Sequence, residues 1–504
     1  MKLVWSRLRS GLGIGGTVFG IPTLVLKPTT LSLSERLTTL PRSDTPPQIE
    51  MKSRPLLLLE RTMYREGCTP FTSVFTIKLL GRLDEAQLRQ ALARVQTKHV
   101  LLRCVVHDAA TGPRFTLQDR YAPIPLRIVE RNGDDHWQAE VRREWVTPFD
   151  ASREPLVRLV WLRAGEINEL ILAGHHCICD GQSGINFLRE LLIAYDQPDQ
   201  DLGVDNVMGA IEDLVPQALL QDQRFRRRVH WKRRLLRLAL LMKRRNDRRP
   251  AGPRIATEQI YFHRWHVGHE AARALAERCR AEGVSVLAAV SLAFMQAFRD
   301  VRGVQALNRA YAMVNARRFL LQLRADAMFG LAPGVRLRLK GLPAPEDLSA
   351  NGFWARARAI KTDMTRRIDR LGAGLYEYLV GLEGLHDIYT RLVANTEGAP
   401  AVRHITLSNM GRIDLLQHYR NFRLESVYSP LVMVSPTPAN SVILSSFANQ
   451  MEFAIVSDNH SLPYAQALAI EQRAMEILRT CVALPAQYEL GFVDKPSAMR
   501  AETA

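Results

Sequence analysis

Residues Ile171 to Gly181, ILAGHHCICDG, set two histidines, two cysteines and an aspartate within six consecutive positions at the end of an apolar run. Imidazoles move protons near neutral pH, thiolates and imidazoles hold metal ions, and a thiol beside an imidazole can act as a nucleophile. Each chemistry makes its own demand on spacing. A zinc site would need further ligands, yet the other cysteines (Cys68, Cys104, Cys279, Cys481) stand singly and no CxxC pair exists, so no metal is expected. Read as a continuing strand, the run would turn His175, Cys177 and Cys179 to one face and His176, Ile178 and Asp180 to the other. That splits the cluster, makes a Cys–His pair awkward, and leaves Cys177 and Cys179 as small hydrophobes in a core. The run GQSGI lacks the G-x-S-x-G spacing of a nucleophile elbow, and Ser183 is expected to cap the following helix instead. What remains is a histidine acting as general base at the end of a rigid strand, a role worth about 10²–10⁴-fold in rate.

The flanking elements fit that role. TSVFTIKLLG reads as a strand, and LDEAQLRQALARVQTKH as a helix capped by Asp84 with Gln87 three places on. LLRCVV, PLVRLVWLRA and NELILAGHH read as strands, and SGINFLRELLIAYD as a helix with Ile185, Leu188, Leu192 and Tyr195 on one face. Further on, HEAARALAERCRAEG and VSVLAAVSLAFMQAF read as helices. RAYAMVN, GVRLRL, VRHITLSN, NSVILSSFA and MEFAIVSD read as strands before a closing helix at PYAQALAIEQRAMEIL. Both halves mix strands and helices, and 504 residues exceed what one core holds, so two α/β halves meeting at a cleft are expected.

The net charge of +17 suggests nucleic acid until the charge is located. Arg224 to Arg249 holds thirteen Lys or Arg against one acid, Asp247, and removing it takes the chain from +17 to +5. The basicity is one local device, so nucleic acid is not an expected partner. Within it, Trp231, Leu235, Leu238 and Met242 form one stripe. Three readings are open: a helix packing that stripe on the protein, a cationic amphipathic helix on an anionic membrane, or a dock for an acidic acyl carrier protein. The first 50 residues, with Gly11, Gly13 and Gly16 in GxGxxG spacing but no preceding strand or following acid, read as a flexible leader. Six scattered cysteines fit a reducing cytoplasm.

His175 to Gly181 spells HHxxxDG, and this resembles the signature of the chloramphenicol acetyltransferase-like superfamily, which includes condensation domains of nonribosomal peptide synthetases and polyketide-associated acyltransferases. Gly81 to Val106 resembles the family's first helix and following strand, CRAEGVSVLAAVSLAFMQAF its second-half helix pair, MVNARRFL its VDLR stretch, and LSNMGRID its channel-lining strand. The resemblance spans roughly Pro55 to Leu490. It implies an α/β fold of two similar lobes forming a V-shaped cleft with a central channel. It also implies acyl transfer from a thioester, acyl-CoA or phosphopantetheine-bound acyl carrier protein, to a hydroxyl or amine, with no resident cofactor.

Carried over by position, His176 would be the base and His175 its support. Asp180 would pair with Arg317, or with Arg318 beside it, in an architectural role, and Gly181 would keep the channel open. Asn409, with Ser408, would lie near the oxyanion or channel. Asn315 departs from the family's usual aspartate, and the DFGWG motif of plant members is absent. The implied arrangement is a leader (1–50), an N-terminal lobe (51–220), a basic crossover (221–255), a C-terminal lobe (256–492) and a tail (493–504). A free-standing, monomeric, cytoplasmic enzyme of lipid or natural-product assembly is expected, in peripheral membrane contact if residues 224–249 bind lipid. A non-catalytic module that binds carrier protein is the alternative.

Overall fold

The computed structural model describes residues 13–18, 21–25, 51–65, 71–203, 208–246, 259–303, 309–331, 333–337, 350–390, 404–432 and 440–482. The expected tail and the remainder of the expected leader lie outside these residues.

In the N-terminal half, β3 (Ser53–Pro55), α1 (Leu58–Tyr64), β4 (Thr72–Leu80), α2 (Glu85–Lys98), β5 (Cys104–His107), β6 (Arg114–Leu117) and β7 (Leu126–Glu130) precede α3 (His136–Val146). Then come β8 (Val157–Ala164), β9 (Ile167–His175) and α4 (Gly181–Asp196). Strands β4 and β9 pair antiparallel along their whole lengths, from Thr72 opposite His175 to Leu80 opposite Ile167. Their residues alternate between two apolar surroundings. Phe75, Ile77, Leu79, Leu170 and Leu172 enter the lobe's own core with α2 and α4, while Val74, Ile171 and Ala173 face the other lobe. Burial on both faces leaves most of their positions apolar, and the charged Lys78 and Glu169 are paired with Glu425 and Arg131. Asp84 caps α2 by accepting from the Gln87 amide at 2.8 Å, and the Asp84 amide donates to the Tyr195 hydroxyl at 2.8 Å, which ties α2 to the end of α4.

The short α5 (Gln217–Gln221), at the end of the expected N-terminal lobe, and the long α6 (Gln223–Asn246), in the expected crossover, lead to the second half. It comprises β10 (Ile260–Val267), α7 (His269–Ala281), α8 (Val286–Arg302), β11 (Arg309–Met313), β12 (Gly334–Leu337), α9 (Ala350–Glu383) and β13 (His404–Arg412). It ends with β14 (Arg423–Val427), β15 (Leu431–Val432), β16 (Asn440–Phe447), β17 (Gln450–Asp458) and α10 (Tyr464–Val482). Its sheet runs β10-β17-β16-β13-β11-β12 and continues into β1 (Gly13–Val18) and β2 (Ile21–Val25).

Two features depart from the expected boundaries. Residues 13–18 and 21–25 of the expected flexible leader form a hairpin whose Gly16 and Thr17 pair with Val335 and Gly334, because β12 would otherwise leave an open edge. And β14 and β15, deep in the C-terminal half, join the N-terminal sheet by pairing antiparallel with β4. The lobes are also bonded by a mixed core, in which Val74, Val160, Ile171, Trp137 and Trp145 meet Phe262, Ile443 and Val456. Helix α9 crosses between cores: Phe353, Trp354 and Ile360 pack in the C-terminal one, Leu375, Tyr376 and Leu379 in the N-terminal one.

Candidate active site

Strand β9 ends at His175, so the face-splitting alternation expected for the whole cluster stops there. A tight turn replaces it: the His175 carbonyl accepts from the Ile178 and Cys179 amides, both at 3.1 Å, and the His175 Nδ1 accepts from the Cys177 amide at 3.2 Å. The turn hands the chain to α4, whose N-cap is Asp180, not Ser183 as the sequence suggested. An aspartate oxygen reaches the amide three residues on more readily than a residue already inside the first turn can.

His176 sits in that turn, 5% exposed, with its amide donating to the Phe71 carbonyl at 2.7 Å and its ring 5.3 Å from the Phe71 ring. Its Nδ1 lies 2.9 Å from the Cys179 carbonyl oxygen. A carbonyl can only accept, so Nδ1 carries the proton and the basic lone pair is on Nε2. Burial pushes the ring below the ordinary histidine range, partly opposed by the Cys179 carbonyl and the Asp180 charge. The imidazole is therefore neutral at pH 7 and able to accept a proton.

His175 is buried between Tyr64 and Phe149, with ring centroids 5.8 and 5.9 Å away. Burial first, then the His176 and Arg158 charges, lower it to about 3. An unfolded chain would protonate this ring below about 6.5. Between pH 6.5 and 3 the unfolded state thus binds more protons, so stability is full above that window and is lost as pH falls through it. We expect urea unfolding to show up to about 1.4 kcal/mol of stability lost per pH unit from this ring. His175→Asn, which keeps an acceptor for the Cys177 amide, should flatten that slope; an unchanged slope would show that the ring does not stay neutral on folding.

Asp180 faces the second half. It receives Arg317 bidentately, Nε on Oδ2 at 3.1 Å and Nη2 on Oδ1 at 3.0 Å, and also accepts from the Ser183 amide (2.9 Å), the Ser183 hydroxyl (3.1 Å) and the Leu331 amide (3.2 Å). Arg317 spends its other donors on the Ala327 and Phe329 carbonyls at 3.0 and 2.7 Å. The pair is made by Arg317; Arg318 instead lies 4.7 Å over the Phe319 ring. Asn315 accepts from the Arg317 amide at 3.1 Å and so shapes the turn that presents it. The Ala327–Leu331 segment closes over the motif tightly enough that a Cβ on Gly330 would come within 2.3 Å of the His176 carbonyl oxygen.

The space beside Gly181 is filled by Met410, whose Sδ and Cε would lie 2.5 Å from an added Cβ. Met410 follows Asn409 on β13, so the end of that strand borders the motif. The Asn409 Oδ1 accepts from the Gly411 amide at 2.7 Å, a local turn contact at a residue of positive φ, and Ser408 pairs in the sheet with Met313 and Ile443. Cys177 and Cys179 are buried thiols, both pushed upward chiefly by burial, which makes them poor metal ligands and poor nucleophiles. Among the described residues, no group of three His, Cys, Asp or Glu side chains is placed to hold a metal ion.

Sequence reasoning did not reach the Ala327, Phe329 and Leu331 backbone groups, which carry no side-chain signature. It also passed over Gly184, where a Cβ would come within 2.2 Å of the Phe75 ring, so that α4 can lie close on β4.

Comparison with known proteins agrees with this architecture. The family model described as Condensation domain matches residues 63–302. Tyrocidine synthase 3 of Brevibacillus parabrevis is 34% identical over 125 residues, 24% of this chain, and cyclosporin synthetase of Tolypocladium inflatum is 32% identical over 129 residues, 25% of this chain. The match spans only 2% and 1% of the length of those relatives. Among solved structures, the condensation domain of the monacolin K polyketide synthase MokA superposes with a TM-score of 0.62 at 13% identity, covering 86% of this chain and 98% of that one. The trichothecene 15-O-acetyltransferase TRI3 of Fusarium sporotrichioides gives 0.62 at 12% identity, covering 87% and 97%. Residues 63–302 are therefore similar to the condensation-domain family model, and most of the chain shares its two-lobed fold with the solved MokA condensation domain and the acetyltransferase TRI3.

Proposed function

We propose that the protein is an acyltransferase that moves an acyl group from a thioester to a hydroxyl or amine, with His176 as general base. The observation that carries this reading is the 2.9 Å contact from the His176 Nδ1 to the Cys179 carbonyl, which places the proton on Nδ1 and the lone pair on Nε2. The acceptor O–H or N–H would give its proton to Nε2 as its heteroatom bonds to the thioester carbonyl carbon. The tetrahedral adduct would then collapse, the C–S bond would break, and the imidazolium would return the proton to the leaving sulfur. No acyl-enzyme arises, in keeping with thiols held protonated by burial. The thioester, on coenzyme A or on a carrier protein's phosphopantetheine, brings its own activation, so no resident cofactor is required.

The test is to incubate the full chain with panels of acyl-CoAs and acyl-loaded carrier proteins, with alcohol and amine acceptors, and to follow products by mass. Thioester-dependent formation of an ester or amide is expected. Binding of loaded carrier protein without turnover on any pair would overturn the proposal in favour of a non-catalytic module.

A further inference from the structure

Helix α6 has two apolar faces, and the structure buries only one. Phe225, Leu236 and Leu240 turn inward, the last two against Leu58, Leu382, Leu385 and Tyr389. On the opposite side, Trp231 is 59% and Leu238 51% exposed, and Leu241 nearby is exposed as well. Of the stripe read from the sequence, Trp231 and Leu238 are thus directed at solvent, Leu235 is half-buried, and the Met242 side chain lies outside the described residues.

The charges divide the same way. Arg228 and Lys232 both pair with Glu377, the former at 2.6 Å, and Arg237 pairs with Asp387 at 2.6 Å, so the acids near α9 take up the cations on the inner flank. Arg227 and Arg234 are exposed beside Trp231, and among the described residues no acidic side chain pairs with either. At 1.5 Å per residue the 24-residue helix is about 36 Å long, and it lies along the outside of the molecule on α9.

We propose that this face of α6 docks on an anionic lipid bilayer, with Trp231 and Leu238 sunk at the boundary between headgroups and acyl chains and Arg227 and Arg234 among the lipid phosphates. Protruding Trp and Leu are costly in water and have their favoured place at that boundary, where unpaired guanidinium groups also meet negative charge. An acidic protein partner would answer the arginines but would also need pockets to receive Trp231 and Leu238, whereas the bilayer boundary takes both without one. No single helix among the described residues is long and apolar enough to cross a membrane.

The chain's other described tryptophans, Trp137, Trp145, Trp161, Trp265 and Trp354, are buried, and with Trp5, outside the described residues, replaced by Phe throughout the experiment, Trp231 becomes the reporter. The experiment is co-sedimentation of the full chain with vesicles of phosphatidylcholine alone or containing phosphatidylglycerol, together with fluorescence quenching by brominated lipid. Binding is expected only to the phosphatidylglycerol vesicles, weakening with salt, and the quenching should vanish in Trp231→Phe. Trp231→Ser with Leu238→Ser, and separately Arg227→Glu with Arg234→Glu, should each lower partitioning about tenfold or more at unchanged melting temperature. Equal binding to neutral vesicles, no effect of either pair, or capture of an acidic carrier protein by this face while vesicles are ignored would each overturn the proposal.

Discussion

His176→Ala is expected to lower acyl transfer by about 10²–10⁴-fold, the share that a positioned base contributes, while leaving a cooperative folded protein. The substitution removes one ring and its bond to the Cys179 carbonyl, but the turn itself is held by the His175 carbonyl and the helix by Asp180. The loss of stability should therefore be modest, about 1–3 kcal/mol for an unmade buried hydrogen bond and a small cavity. The pH profile gives a second readout. A base works when unprotonated, and burial holds this ring below the ordinary histidine range. The wild-type rate should be flat through neutrality and fall on the acid side of about 6.5. The variant should lack that limb, and added imidazole should restore part of the rate. Near-normal turnover in purified His176→Ala would end the mechanism.

Asp180→Ala should do the reverse in its balance of effects, unsettling the fold as much as the chemistry. It removes the acceptor of five contacts at once and leaves Arg317 as a buried charge among carbonyls. Breaking one side of such a pair costs about 3–5 kcal/mol. Substituting Arg317→Met in the same chain should return part of that, because the uncompensated charge goes with it. Turnover should fall too, through displacement: Asp180 directly follows Cys179, whose carbonyl orients His176. Asp180 acts as a positioning residue, so added imidazole should not rescue its variant. Thermal melting of the two single variants and the double variant measures the coupling. Independent, additive losses would show that the pair does not act as a unit.

Local signals were readable in the sequence, and distant partners were not. The Asp84 cap, the strand before His175 and the helix after Gly181 follow from patterns of a few residues, and they stand where those patterns place them. The tight turn from His175 to Cys179 was not legible, because its bonds are backbone to backbone and the residues between look like more strand. Helix α9 escaped notice because Gly372 and Gly374 interrupt its pattern; Gly372 is small because the Phe319 ring lies against it. In α6 the periodicity holds two stripes, and nothing in a spacing tells which one meets protein. The pairing of Asp180 with Arg317 came from resemblance, since 137 positions separate them.

The pairing of β4 with β14 and β15 bears on how the molecule is made. As the chain leaves the ribosome, β4 and β9 can meet early, but the opposite edge of β4 has no neighbour until Arg423 to Val432 appear, since Leu80 pairs with Arg423 and Val74 with Leu431. For most of translation the nascent first half thus presents an unzipped, strongly apolar ribbon to anything nearby. Final closure is a long-range event, which favours slow folding and leaves apolar surface open to aggregation until it occurs. Cutting the gene between the halves would yield an N-terminal fragment prone to stick to itself, even though every residue of its histidine motif is present.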